Sequence, residues 1–193
     1  MICIIPARGG SRRIPGKNIK DFHGLPIIAH SINTARASKL FKSVIVSTDS
    51  PEIGDVAREY GARPVSRHPL FAQDWVGTQR VAKHVLKDQY SITYPDITCV
   101  MYATAPMVTV DELKQAHRIV YGGADYAVSV DENCEDVGGF YMGWSFLFLE
   151  EVPLEGHSVY VRTDDIDINT LEDWALAEKL YEERYGTGTS MAG

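Results

Sequence analysis

The chain is short of cysteine, long apolar runs and positive charge, and each shortage closes off a class of protein. Its three cysteines (Cys3, Cys99 and Cys134) are odd in number, widely spaced and share no CxxC, so neither a disulfide framework nor a zinc site is indicated. Cys3 and Cys99 lie inside apolar runs and read as core thiols. No apolar stretch approaches the roughly 18 residues that a membrane-crossing helix needs. Strand-like residues follow Met1 directly, with no basic leader, which predicts a soluble, cytoplasmic chain with no membrane partner. Lys and Arg total 19 against 26 Asp and Glu, a formal net charge of −7. Nucleic-acid binding is driven by pairing many phosphates with cations, so no nucleic-acid partner is expected. A GxGxxG is also missing, which disfavours a dinucleotide cofactor.

What is present is enough for one compact domain: 193 residues, of which 45% are hydrophobic. The domain is placed at residues 1–185. The closing "GTGTSMAG", residues 186–193, lacks apolar content and reads as a flexible tail. Short apolar runs alternate with helix-period segments, the pattern of βα units around a mostly parallel sheet with helices on both faces. Strands are expected at Ile2–Pro6, Ser43–Thr48, Ala62–Ser66, Ile97–Tyr102, Tyr126–Val130, Gly139–Met142 and Ser158–Arg162. Helices are expected at Pro26–Ala37, Pro51–Tyr60, Val76–Tyr90 and Asp111–Tyr121, with a last one after Asn169 or Thr170 as N-cap. In such sheets ligands bind beyond the carboxyl ends of the strands, and the unusual residues fall there.

The first of these lie in "IIPARGGSRRIPGKNIKDF", Ile4 to Phe22, directly after the first strand. Gly9 and Gly10 would let main-chain amides approach an anion, and Arg8, Arg12, Arg13 and Lys17 supply charge matched to phosphate oxygens. The stretch therefore reads as a polyphosphate clamp, against the plainer alternative of a solvated basic loop. It is not a standard P-loop, because Asn18 stands where a magnesium-binding Ser or Thr belongs.

"IIPARGGSRRIPGKNIKDFHGLPIIAHSI" resembles the N-terminal signature of the acylneuraminate cytidylyltransferases (CMP-sialic acid synthetases), and most closely their pseudaminic acid branch. "VIVSTDSPEIGDVAREYGA", "MYATAPMVT", "DVGGFY" and "DIDINTLEDW" extend the resemblance along nearly the whole chain. It implies a single-domain Rossmann-like nucleotidyltransferase that joins CTP to a keto sugar acid, giving a CMP-sugar and pyrophosphate. By the same resemblance Arg8, Ser11, Arg12 and Lys17 hold the triphosphate, Asn18 is the asparagine after that lysine, and Arg13 matches the pseudaminic branch. Arg67 and Asp74 fall in a segment near the nucleotide, although for Arg67 a plain surface arginine is an equal reading.

Near the other end, "RTDDIDINTLEDW" follows a strand and precedes the last helix. In an extended segment residues two apart point the same way, so Asp165 and Asp167 would converge while Ile166 turns inward. Two hard oxygen donors suit Mg²⁺, which takes one or two carboxylates with phosphate oxygens and water. The alternative is capping of the following helix; Asp164 and Asp173 are expected to be capping or solvated residues. The family's DID motif, placed on Asp165 and Asp167, strengthens the metal reading. Catalysis would then rest on Lys17, Arg8, Arg12, Asp165 and Asp167, provided both clusters meet across one crevice. Transfer from a nucleoside triphosphate relies on positioning and electrostatics, and no histidine stands out as a base.

The acceptor side is sparser. Tyr102 and Thr104 in "MYATAP" end a strand at the expected mouth of the site, with Ala103 where relatives carry proline. Gly138 and Gly139 would let a sugar approach the main chain, or serve packing instead. Between "YAVSVDEN" and "CEDVGGFY" the family carries roughly thirty further residues that enclose the sugar and cross to a partner subunit, whereas "DENCED" is a tight connection. The resemblance implies a homodimer, and loss of that arm argues against one. Two alternatives accompany the main reading: a changed acceptor or nucleotide on the same fold, and a CTP-binding protein of weak catalytic power.

Overall fold

The computed structural model describes residues 1–73, 75–89, 96–155 and 157–186. In chain order the elements are β1 (Ile2–Pro6), β2 (Asp21–Phe22), β3 (Leu25–Pro26), α1 (Ile27–Ala37), β4 (Ser43–Thr48), α2 (Pro51–Glu59) and β5 (Arg63–Ser66). They continue with α3 (Thr78–Gln89), β6 (Ile97–Met101), α4 (Val110–Tyr121), β7 (Tyr126–Val130), β8 (Asp136–Trp144), α5 (Ser145–Leu149), β9 (Ser158–Arg162) and α6 (Leu171–Tyr185). The expected strands and long helices are all present. Tyr90, the expected end of the third helix, and residues 187–193 of the expected tail lie outside the described residues.

Seven strands form one sheet in the order β5-β4-β1-β6-β8-β7-β9, and β2-β3 form a separate hairpin. The β5-β4-β1-β6 half is wholly parallel. Strand β8 runs antiparallel to both β6 and β7, and β7-β9 is parallel again. The chain leaves β1 toward β4 and β5, then returns to the other side of β1 for β6. The resulting crevice between β1 and β6 is where ligands bind in open α/β sheets.

Alternation within the strands builds two cores. Cys3 and Ile5 of β1 face one layer, where Ile28, Ile32 and Ala35 of α1, Ile53 and Ala57 of α2, and Leu113, Ala116 and Val120 of α4 pack. Ile2 and Ile4 face the other, against Ala82, Val85 and Leu86 of α3 and Leu147 and Phe148 of α5. A third cluster joins Phe22 of the hairpin and Met107 to Ile168, Trp174, Ala177 and Tyr181, and so ties the last helix to the opening of the chain. Helix ends follow their sequence signals. Ser50 caps α2 with Pro51 at its first position, and capping boxes Thr109/Glu112 and Thr170/Asp173 open α4 and α6. Among the described residues no helix is long and apolar enough to cross a membrane.

Candidate active site

A cavity of about 430 Å³ opens at the carboxyl ends of β1, β5 and β6. Each strand delivers a different part of its wall. After β1 come Arg8, Ser11, Arg12, Arg13, Lys17 and Asn18. Arg67 follows β5, and Tyr102, Ala103 and Thr104 follow β6. Gln73 and Val76 before α3, with Thr78 and Val81 in its first turn, form a mixed wall that the sequence does not announce, and Asn169 closes the C-terminal side. Five cations line the cavity together with apolar and neutral polar side chains, a lining suited to a nucleotide with its phosphates on the cations.

Partly buried side-chain to main-chain contacts hold the basic loop. Asn18 is buried and donates Nδ2 to the Arg8 carbonyl at 2.9 Å, closing the loop on itself. Lys17 is half-buried and donates Nζ to the Ile168 carbonyl at 2.6 Å. Burial lowers the Lys17 pKa; Asp167 opposes that shift, and Arg13 and Arg8 reinforce it. Arg67 is not a surface arginine. It is only 5% exposed, its guanidinium donates to the Ser47 carbonyl at 2.6 Å and to Ser47 Oγ at 3.2 Å, and burial lowers its pKa to about 10.

Gly9 and Gly10 do not line the cavity. The Gly9 amide donates to Asp49 Oδ1 at 2.8 Å, so that N–H is engaged by the chain itself, at the surface. A Cβ at Gly9 would sit 2.9 Å from Ser50 Cβ, so the glycine serves close packing of the loop on the start of α2. Asp74 lies outside the described residues.

At the C-terminal side the structure separates the expected carboxylate pair. Residues 163–170 are not a β-strand, and the alternation assumed for them fails at Asp165. Asp165 is 2% exposed and lines a different cavity, together with Arg162 and Arg184. Its Oδ1 accepts from the Ile166 amide at 3.0 Å while Oδ2 has no partner within hydrogen-bond distance among the described residues. Burial raises its pKa well above the ordinary carboxylate value; the Ile166 amide works against that shift and Glu112 adds to it. Ile166 is only partly buried, and it is Ile168 that inserts fully into the third core cluster.

With Ile168 anchored, Asp167 and Asn169 flank it on the clamp side. Asp167 is exposed, and its Oδ1 lies 3.3 Å from where a Gly138 side chain would begin, with the Tyr102 ring 3.7 Å from the same point. Gly138 adopts φ +64, a left-handed conformation that favours glycine. Gly139 packs instead: a Cβ there would lie 2.8 Å from Ser129 Oγ. Asn169 accepts from Arg13 Nη2 at 2.8 Å and donates to an Asp167 carboxylate oxygen. The clamp and the acidic segment therefore meet through Lys17–Ile168 and Arg13–Asn169. Asp164 is exposed and pairs with Arg184 at 2.9 Å, so it does not cap the helix, whereas Asp173 caps α6 as expected of it. Among the described residues no group of three His, Cys, Asp or Glu could by itself hold a metal ion.

The turn between β7 and β8 is tight. Asp131 Oδ1 accepts from the amides of Asn133 and Glu135 at 2.8 and 2.9 Å, and Val130 pairs directly with Asp136.

Comparison with known proteins gives matches of sequence and of fold. Residues 2–134 match the family described as Cytidylyltransferase. The chain is 34% identical to a pseudaminic acid cytidylyltransferase of Campylobacter jejuni subsp. jejuni serotype O:2, covering 94% of this chain and 96% of that protein. The alignment runs over 224 positions, more than the 193 residues of this chain, so that relative has positions without a counterpart here. Among solved structures, a CMP:2-keto-3-deoxy-manno-octonic acid synthetase complexed with CTP superposes with a TM-score of 0.74 at 17% identity, over 95% of this chain and 98% of that one. A Mycobacterium tuberculosis H37Rv protein solved with manganese gives 0.65 at 14% identity, over 92% and 98%.

Proposed function

Since the chain belongs to the cytidylyltransferase family, we propose that it transfers CMP from CTP to a nonulosonic keto sugar acid of the pseudaminic type. The acceptor hydroxyl attacks the α-phosphorus, a new P–O bond forms, the bond to the β-phosphate breaks, and pyrophosphate leaves. The observation that carries this reading is the junction of Lys17 and Arg13, which line the cavity together with Asn169, with the adjoining segment that carries Asp167. Charge that builds on the departing pyrophosphate meets preorganised cations there, in a partly desolvated pocket where each is worth more than in water. Arg8, Arg12, Arg13 and Lys17 bind the triphosphate, Asn18 fixes the loop that carries them, and Arg67 stands by the nucleotide. Tyr102, Thr104 and Gly138 form the acceptor side, next to Asp167.

The residues fit a divalent cation such as Mg²⁺. Asp167 offers a hard carboxylate on the clamp side, and phosphate oxygens complete such sites. When bound, the cation would polarise the α-phosphate and make the acceptor hydroxyl more acidic. The manganese complex of the fold neighbour is consistent with this. Asp165, which lines the other cavity, is given no part in it.

The test is incubation with CTP, MgCl₂ and a panel of nonulosonic acids, with mass detection of CMP-sugar and a coupled assay of pyrophosphate. Product with a pseudaminic-type acid, none with ATP or UTP and none after chelation is the expected result. CTP binding without product on any acid would leave a binding protein and overturn the proposal.

A further inference from the structure

Asn169 is the side chain in which the two halves of the cavity touch. Its main-chain amide donates to Asp173 Oδ2 at 2.8 Å, so the capping box of α6 sets its place. Its side-chain amide then reaches two partners of opposite charge, Arg13 through Oδ1 and Asp167 through Nδ2. A guanidinium only donates and a carboxylate only accepts, so these neighbours leave the amide a single orientation. Aspartate at this position would still accept from Arg13 but would meet Asp167 as a like charge. Alanine would bond neither.

Resting on the functional reading above, we propose that Asn169 is a positioning residue that holds Arg13 and Asp167 in one frame. Because it is neutral, it also keeps a second carboxylate away from the outward position next to Asp167. The Asp167 oxygen bonded to Asn169 is held, and Oδ1, beside Gly138, is the one turned to the acceptor side. A divalent cation there meets one oriented carboxylate and, close by, the cations Lys17 and Arg13. Such a site draws its remaining oxygens from the nucleotide's phosphates, so cation and CTP bind together rather than in sequence.

The experiment is a Mn²⁺ titration followed by electron paramagnetic resonance of the free ion, on wild type, Asn169→Asp and Asn169→Ala, with and without CTP. Circular dichroism checks the fold of each variant. Without nucleotide, Asn169→Asp is expected to bind Mn²⁺ at least about tenfold tighter than wild type; with CTP, Asn169→Ala is expected to bind it about tenfold more weakly, the usual scale for groups that orient a metal ligand. In turnover, the metal concentration for half-maximal rate should rise in Asn169→Ala, a shift that a purely structural role would not produce. Equal nucleotide-free affinity in wild type and Asn169→Asp, or an unchanged Mn²⁺ response in Asn169→Ala, would overturn the proposal. Failure of wild type to bind CTP would overturn the functional reading instead, and the nucleotide-free titration separates the two because it needs neither CTP nor turnover.

Discussion

Asp165 and Asp167 carry the same side chain two positions apart and have opposite surroundings. The first is buried beside Arg184 in a cavity of its own; the second is exposed next to Gly138 and Asn169. Alternation in an extended chain groups residues by twos, and it pairs Asp167 with Asn169 as readily as with Asp165. What decides between them is the full burial of Ile168, a tertiary event invisible in the local pattern. That the loop cations share one cavity was legible because they cluster within a short stretch, whereas the burial of Arg67 depends on Ser47 of a neighbouring strand. Two substitutions separate the carboxylates. Asp167→Asn should lower kcat/KM by two orders of magnitude or more, on the scale of losing a preorganised electrostatic group, while Asp165→Asn, isosteric and off the cavity, should stay within a few-fold of wild type. Steady-state rates decide it, and comparable losses in both would restore Asp165 to the site. Lys17→Ala should cost roughly 10²–10³-fold in kcat with an unchanged circular dichroism spectrum; near-wild-type turnover would remove the clamp from the mechanism.

Elements with strong periodicity stand where the sequence puts them, and short ones do not announce themselves. Helix α5 has five residues and each strand of the β2-β3 hairpin has two, too few for any period to repeat. Strand β8 runs from Asp136 to Trp144, well beyond the expected Gly139–Met142, because pairing on both edges extends it through its glycines. The hairpin matters to the site, since it clasps α6 and thereby sets where Asn169 begins. His30 of α1 lies inside that clasp, with Nε2 2.9 Å from the Phe22 carbonyl and Tyr181 at its other nitrogen. Burial holds its pKa below the ordinary value, only partly offset by the Phe22 carbonyl. Between that lowered pKa and the unfolded value near 6.5 the unfolded chain binds more protons, so stability is full above that window and declines as pH falls through it. Urea unfolding at pH 7.5 and 5.5 should therefore show a larger loss for wild type than for His30→Gln. Equal losses would mean that the clasp is held without reference to the charge on this ring.

On the functional reading proposed above, the nucleotide takes the cavity and the acceptor lies beside it, at the Gly138 edge. Clamp, Arg67 and the start of α3 surround the cavity without any contribution from the β7-β8 connection, which is closed off by the Asp131 turn. The Campylobacter relative aligns over more positions than this chain possesses, so some of its structure has no equivalent here. The shortness of "DENCED" was legible in the sequence, and the turn's hydrogen bonds show how the connection closes. If the acceptor is held by Tyr102, Thr104 and the Gly138 edge alone, it loses binding contacts that do not change in the transition state. Loss of such uniform binding raises KM and leaves kcat in place. The KM for the sugar acid should then exceed that for CTP by about tenfold, a difference of 1.4 kcal/mol, measured by varying each substrate while the other saturates. Grafting a longer connection between Asn133 and Cys134 should leave the CTP parameters untouched, because neither residue lines the nucleotide cavity. A sugar KM at or below that for CTP would mean that another surface of the chain encloses the acceptor. The tight turn would then mark a rerouted acceptor site in place of an opened one.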